Sequence, residues 1–179
     1  MTVEIVFETH SITEDNESGH ATGWLPGRLS EEGRALARLL GERRRDDGLA
    51  AVFASDLGRA VETVALAFEG AEIPILLDWR LRECDYGDLN GASTAEMRRI
   101  RDRGADARYP NGESWGDAVE RVAGFIDDLP SRWDGRRVLI VGHVATRYGL
   151  DHRINGLPVE SLLNESFEWQ EGWEYRLGV

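Results

Sequence analysis

This chain of 179 residues has almost no cysteine, no long hydrophobic run and no excess of positive charge. The single cysteine, Cys84, excludes an intramolecular disulfide and indicates a cytoplasmic protein. No apolar run approaches the roughly 20 residues of a membrane-spanning helix, and no basic segment followed by an apolar block follows Met1, so neither a membrane span nor a signal peptide is predicted. The formal net charge of −12 disfavours nonspecific binding to nucleic acid or anionic membranes, because it repels phosphate polyanions.

Clusters of histidine, cysteine and carboxylate with the spacing of metal ligands are also missing, so we expect neither a metal nor another cofactor. The length and the hydrophobic fraction of 41% suit one domain, residues 1–179, around a single core. The composition fits a monomer and a homodimer equally well.

Short apolar runs alternate with amphipathic segments along the chain. Strands are predicted at Val3–Phe7, Ala51–Ala54, Ile73–Leu77, Val138–Val141 and Trp173–Leu177. Helices are predicted after the cap Ser30, from Ser55–Asp56, from the capping box Ser93–Glu96, along the stripe Trp115–Leu129 and over Val144–His152. The alternation predicts an α/β three-layer sandwich, with a mostly parallel sheet between helices, and Pro74 places the third strand at an edge. Residues 10–29 are predicted as a long loop, and the run 42–47 as a solvated helix end.

Two histidines stand where apolar strands end. His10 follows the first predicted strand, and His143 follows the most apolar one. Ligands of open α/β sheets bind beyond the carboxyl ends of the strands, so we expect the two imidazoles to share one site.

Two further side chains are predicted to reach the same edge of the sheet. Arg59 lies in the first turn of its helix, where free backbone amides and a planar guanidinium suit a phosphate. Glu83 follows the third strand and is a candidate proton donor to a leaving group. Its alternative is a salt bridge to Arg80 or Arg82.

Five segments, in order along nearly the whole chain, resemble the sequence blocks of the histidine phosphatase superfamily, which includes phosphoglycerate mutases. These segments are Thr9–Asn16, Ala54–Thr63, Leu81–Gly91, Pro110–Ser114 and Gly142–His143. The second segment, Ala-Ser-Asp-Leu-Gly-Arg-Ala-Val-Glu-Thr, is the most similar to its block.

The resemblance implies a phosphohistidine mechanism. His10 would attack phosphorus, and Glu83 would protonate the leaving oxygen. Arg59, His143 and Asn16 would hold the phosphoryl oxygens, and water would hydrolyse the intermediate.

The resemblance also implies substrate contacts. Thr22 and Gly23 resemble the Thr-Gly-Trp segment with which phosphoglycerate mutases contact substrate. Tyr86, together with Glu83, resembles the Glu-Arg-x-Tyr-Gly block of the mutases.

The chain departs from the family pattern beside both histidines. Thr9 replaces the arginine that precedes the nucleophile, and Val144 replaces a glycine. A missing guanidinium removes a charge-assisted contact to phosphate, so we expect Arg28 or Arg147 to enter the pocket instead. Without such a substitute, the protein would be a weak or inactive binder of a phosphorylated ligand.

The chain is short and is expected to lack the insertion after the Glu83 block that helps mutases to enclose their intermediate. An open pocket admits water, so the sequence predicts a phosphatase acting on a small phosphomonoester. A phosphoglycerate mutase-like phosphotransferase is the alternative. Glu8 is predicted to form an ion pair with no catalytic role, because strand alternation points it opposite to Thr9.

Overall fold

The computed structural model describes residues 2–165 and 167–178, and the five strands within them form one sheet. The strands are β1 (Thr2–Thr9), β2 (Ala51–Ala54), β3 (Ile75–Leu77), β4 (Arg137–Gly142) and β5 (Trp173–Gly178). Their order across the sheet is β3-β2-β4-β1-β5. Neighbouring strands pair in parallel except for β5, which pairs antiparallel with β1 at one edge. The prediction of a mostly parallel sheet is therefore confirmed.

Helices cover both faces of this sheet. They are α1 (Glu14–Ser18), α2 (Glu31–Arg44), α3 (Gly58–Ala67), α4 (Thr94–Arg101), α5 (Trp115–Asp128), α6 (Pro130–Trp133), α7 (Val144–Asn155) and α8 (Val159–Asn164). Alternate residues of β1 enter different cores: Val6 packs with Leu40 of α2 and Val64 of α3, whereas Phe7 packs with Ile126 of α5. These two cores define the predicted three-layer sandwich. Within the described ranges no helix combines the length and the apolarity needed to cross a membrane.

The start of one helix differs from the sequence-based expectation because two side chains form hydrogen bonds elsewhere. The helix predicted to open at Ser55 and Asp56 begins at Gly58 and has no side-chain cap. The Ser55 hydroxyl lies 2.6 Å from Nε2 of His143 instead, and Asp56 accepts hydrogen bonds from Arg82. Ser55 and Asp56 therefore bind His143 and Arg82 instead of capping α3.

The long loop predicted for residues 10–29 contains the short helix α1. Its N-cap, Thr13, accepts a hydrogen bond from the backbone N–H of Asn16, whose side chain accepts one from Thr13 in return. Gly19 ends the helix in the left-handed conformation, with φ 76°. Helix α8, just after Pro158, was not predicted either, since its six residues are too few to establish a helical period.

The close approach of α2 to α3 depends on Gly41, because a Cβ there would collide with the backbone carbonyl of Ala67. We expect Gly41→Ala to destabilise the protein by about 1–3 kcal/mol through overpacking. Gly124→Ala is the matched control: Gly124 is an exposed glycine in α5, and a Cβ added there would meet no heavy atom within 4 Å. Alanine should stabilise a helix at that position by about 0.5–1 kcal/mol. Urea unfolding of both variants measures the difference, and equal effects would contradict the tight contact.

Candidate active site

The two predicted imidazoles meet at the carboxyl edge of the sheet. Because β1 and β4 are parallel neighbours, His10 and His143 leave the sheet side by side, with ring centroids 5.0 Å apart. The backbone N–H of His10 donates to the carbonyl of Gly142 at 2.9 Å, which continues the strand pairing up to the site. The shared site predicted for these residues is therefore present in the structure.

Arg59 joins the two rings. Its Nε donates to Nε2 of His10 at 3.3 Å, and its Nη2 is 3.2 Å from Nδ1 of His143. The same guanidinium donates to the carbonyls of Leu25 and Gly23, each at 2.9 Å. The residue is only 2% exposed, so the first turn of α3 delivers a buried cation between the imidazoles.

Both imidazoles are neutral at ordinary pH. Burial, followed by the positive charge of Arg59, lowers the pKa of His10 to about 3. Its Nδ1 lies 2.8 Å from the carbonyl of Ser11, which can only accept, so Nδ1 carries the hydrogen and Nε2 carries the lone pair. The same two causes hold the pKa of His143 well below its usual range. Since Arg59 can only donate to Nδ1 of His143, the hydrogen of that ring lies on Nε2 and is donated to Ser55.

Glu83 lies beside the imidazoles rather than in a salt bridge. Its carboxyl group accepts hydrogen bonds from the backbone N–H groups of Cys84 at 2.9 Å, Ala145 at 3.1 Å and Val144 at 3.3 Å. The last two belong to the first turn of α7, whose dipole favours negative charge. Burial nevertheless raises the pKa of Glu83, and these hydrogen bonds and Arg59 oppose the shift.

The arginines considered as alternative partners of Glu83 pair elsewhere. Arg80 binds Asp78 at 2.8 Å, and Arg82 binds Asp56 at 2.6 Å. Neither arginine is therefore a partner of Glu83, which lines the same cavity as the two histidines.

His10, His143 and Glu83 line one cavity of ≈ 590 Å³. Thr9 and Val144, which precede and follow the two histidines, line it as well. Its other lining residues are Glu8, Ser11, Ile12, Asn16, Leu36, Leu39, Leu40, Arg43, Phe167, Trp169 and Glu171. The volume lies within the range of small-molecule sites.

Asn16 and Thr22, both expected to contact substrate, have protein partners in this structure. Asn16 lines the cavity, but its side-chain oxygen caps α1. The Thr22 hydroxyl donates to Asp15 at 2.8 Å and is buried. Thr22 thus shapes the loop.

Gly23 supports Arg59 through its backbone carbonyl, and the ring of Tyr86 lies next to Gly23. The φ of Gly23 is 56°, and a Cβ there would collide with the side chain of Asn90, so a glycine is required for its carbonyl to reach the guanidinium. The ring of Tyr86 is buried 4.8 Å from the ring of Tyr109.

The expectation that Arg28 or Arg147 enters the pocket is wrong for this structure. The Arg28 side chain is 77% exposed and lies 3.8 Å from Glu14. The guanidinium of Arg147 lies 4.8 Å from the ring centroid of Trp173 and 5.6 Å from that of Phe167. These aromatic rings stabilise the Arg147 cation outside the cavity lining.

Arg43 is the arginine that the described residues place in the cavity lining, and it was not among the residues predicted for the site. Its Nη2 lies 3.4 Å from Glu8, whose carboxyl group is 1% exposed and also accepts from Arg44 at 2.8 Å. The run 42–47 is therefore not simply a solvated helix end, and the predicted ion pair of Glu8 is confirmed. Helical spacing contained the signal, since Arg43 continues the stripe of Leu36 and Leu40.

The fold and the site define the class: an α/β sandwich with paired histidines and a buried arginine at the carboxyl edge of its sheet. The family model of the histidine phosphatase superfamily (branch 1) matches residues 5–169. The chain belongs to this superfamily.

Its relatives include both mutases and phosphatases. A 2,3-bisphosphoglycerate-dependent phosphoglycerate mutase of Methylobacterium radiotolerans is 38% identical over 168 residues, which cover 86% of this chain and 79% of the mutase. The structure of Bacillus stearothermophilus YhfR superposes with a TM-score of 0.85 at 28% identity, covering 99% of this chain and 91% of that one. A mycobacterial glucosyl-3-phosphoglycerate phosphatase gives a TM-score of 0.79 at 26% identity, covering 92% and 84%.

We expect the His10 ring to remain neutral from pH 8 down to about pH 4, because its pKa is lowered to about 3. Arg59→Gln should raise that pKa, since it removes the second cause, but should leave it below 6.5 because burial is the larger cause. An NMR titration of the ring signals, assigned with His10→Gln, measures both values. A wild-type ring that titrates near pH 6.5 would contradict the buried, neutral imidazole.

Proposed function

We propose that this protein hydrolyses a phosphomonoester through a phosphohistidine intermediate on His10. The observation that carries the proposal is one cavity lined by a neutral His10, whose Nε2 carries the lone pair, and by Glu83, a carboxyl group of raised pKa, with the buried guanidinium of Arg59 hydrogen bonded to that Nε2. A neutral imidazole is a nucleophile, a buried cation stabilises a transferring phosphoryl group, and a protonated carboxyl group is a general acid.

In the first step, Nε2 of His10 attacks phosphorus while the bond from phosphorus to the leaving oxygen breaks. The Nε–H of Arg59, which faces Nε2 in this structure, turns to a phosphoryl oxygen. Glu83 gives its proton to the leaving oxygen, so the alcohol departs neutral. The three backbone N–H groups around Glu83 then stabilise the carboxylate that remains.

In the second step, water attacks phosphorus and the bond to Nε2 breaks. The Glu83 carboxylate accepts the proton of the water, inorganic phosphate leaves, and both His10 and Glu83 return to their starting states. The hydrogen bond from Nδ1 to the Ser11 carbonyl keeps the ring of His10 in place through both steps.

A mutase is the second candidate, because the curated relative from Methylobacterium has that name. A mutase must hold a bisphosphorylated intermediate, which needs cations beyond those for one phosphoryl group. Among the described residues that line the cavity, Arg43 is the candidate for such an additional cation, and its charge is offset by Glu8. The mutase is also longer, since the same alignment covers less of it than of this chain. These observations favour hydrolysis.

We expect His10→Ala to lower the hydrolysis of a generic aryl phosphate by more than about a thousandfold, because no second nucleophile is available in the proposed mechanism. Wild-type protein quenched during turnover of a labelled substrate should carry an acid-labile phosphoryl group, and His10→Ala should not. Exposed His20 offers the control variant, His20→Ala, which should keep full activity. Binding of phosphate without turnover or a phosphoprotein would instead identify a non-catalytic binder, and transfer between positions of phosphoglycerate would identify a mutase.

We expect Glu83→Gln to slow the hydrolysis of an alkyl phosphate by about 10²–10⁴-fold, because the alkoxide leaving group needs a proton. Hydrolysis of a nitrophenyl phosphate should be slowed much less by the same substitution, because its leaving group is stable as an anion. With wild-type protein, kcat/KM should fall as pH rises through the raised pKa of Glu83, since only the protonated carboxyl group donates. That basic limb should disappear in Glu83→Gln; equal losses on both substrates, with the limb unchanged, would exclude Glu83 as the acid.

A further inference from the structure

We propose that the substrate of this site is a phosphomonoester whose leaving group is a large apolar group, in preference to a small polyanion such as a phosphoglycerate. The inference rests on the proposed function and adds the class of substrate. Its basis is the part of the cavity that extends beyond the imidazoles.

Two separate parts of the chain contribute apolar side chains to this cavity. Leu36, Leu39 and Leu40 come from α2, and Phe167 and Trp169 come from the segment that precedes β5. The apolar lining is continuous with His10, Glu83 and His143, because all of these residues line the same cavity. A group esterified to a phosphate on His10 would therefore extend along these leucines and aromatic rings.

Two of these lining side chains remain substantially exposed. Leu39 is 47% exposed and Trp169 is 58% exposed. Burying such side chains against a ligand is favourable at roughly 25 cal/mol per Å² of apolar surface. Contiguous apolar surface around a reactive centre is typical of a binding groove rather than of a core.

The charges of the lining disfavour a second anionic group on the substrate. Besides Glu83, which is protonated before the proposed reaction, Glu8 and Glu171 line the cavity, whereas Arg43 is the cation in the lining among the described residues. Arg43 lies 3.4 Å from Glu8, so its charge is already offset. A carboxylate or a second phosphate would approach more negative than positive charge, and an uncharged leaving group would not.

Contacts with Arg147 and Arg44 hold the segment from Phe167 to Gly172 at one side of the cavity. Arg147 lies 5.6 Å from the ring centroid of Phe167 and 4.8 Å from that of Trp173. Arg44 donates to the carbonyl of Glu171 at 3.2 Å. These contacts give Arg147 and Arg44 a positioning role: they hold the aromatic side of the cavity against the leucine side.

The test is a homologous series of butyl, hexyl and octyl phosphates with wild-type protein. The leaving-group chemistry is constant along the series, so kcat/KM reports the binding of added methylenes. We expect kcat/KM to rise by about two- to fourfold per methylene, the size of apolar transfer from water, until the cavity is filled. Glycerol phosphate and 3-phosphoglycerate should be poorer substrates than hexyl phosphate.

Substitutions of lining residues test where in the cavity the apolar leaving group binds. Leu39→Gln should lower the ratio of kcat/KM for octyl phosphate to that for butyl phosphate by about threefold or more, because it places an amide in the apolar lining. Trp169→Gln should do the same from the aromatic side. Leu77→Gln is the matched control, since Leu77 is 52% exposed but lies in the edge strand β3, outside the lining; its ratio should equal that of the wild type. Circular dichroism and Tm confirm that each variant is folded.

The outcomes separate this inference from the proposed function. If the alkyl phosphates are hydrolysed at rates that do not depend on chain length, or if 3-phosphoglycerate is preferred, the proposed apolar leaving group is wrong. The proposed phosphatase activity would then still stand. An unchanged octyl-to-butyl ratio in both folded cavity variants would overturn the location of the binding surface. Absence of turnover and of phosphohistidine with every phosphomonoester would overturn the proposed function itself.

Discussion

The site depends on one buried guanidinium. Arg59 is hydrogen bonded to an imidazole on each of two strands and to two loop carbonyls, so it connects β1, β4, α3 and the segment around Gly23. Its positive charge also lowers the pKa of both rings. A single residue therefore connects His10 with His143 and adds to the effect of burial that keeps both of them neutral, at the cost of burying a cation.

Most of the architecture could be predicted from periodicity and caps. The strands, the helix caps Ser30 and Ser93, the edge position after Pro74 and the meeting of His10 with His143 follow from local patterns and from the geometry of parallel sheets. The failures arose where a tertiary partner competed with a local preference. Ser55 bonds to His143 instead of capping α3, and Arg147 stacks on aromatic rings that lie far along the sequence.

The same limit explains why the cavity was not foreseen. Its lining combines the end of α2 with the distant segment that precedes β5, and no one-dimensional pattern relates Leu39 to Trp169. Arg43 illustrates the point. It continues a helical stripe, but only its contact with the buried carboxyl group of Glu8 shows that it faces inward. Local rules thus brought His10 and His143 together, whereas the surface around them required the folded chain.

Strand β1 lies between β4 and β5, and both neighbours come much later along the chain: Glu4 pairs with Arg137 and with Arg176. During synthesis, β1 leaves the ribosome long before either neighbour exists, and its strand partners are missing until β4 and β5 have emerged. Contacts of such long sequence separation make folding slow. Assembly of the surroundings of His10 consequently waits for β4 and β5, and a nascent chain would have this histidine without the sheet that holds it.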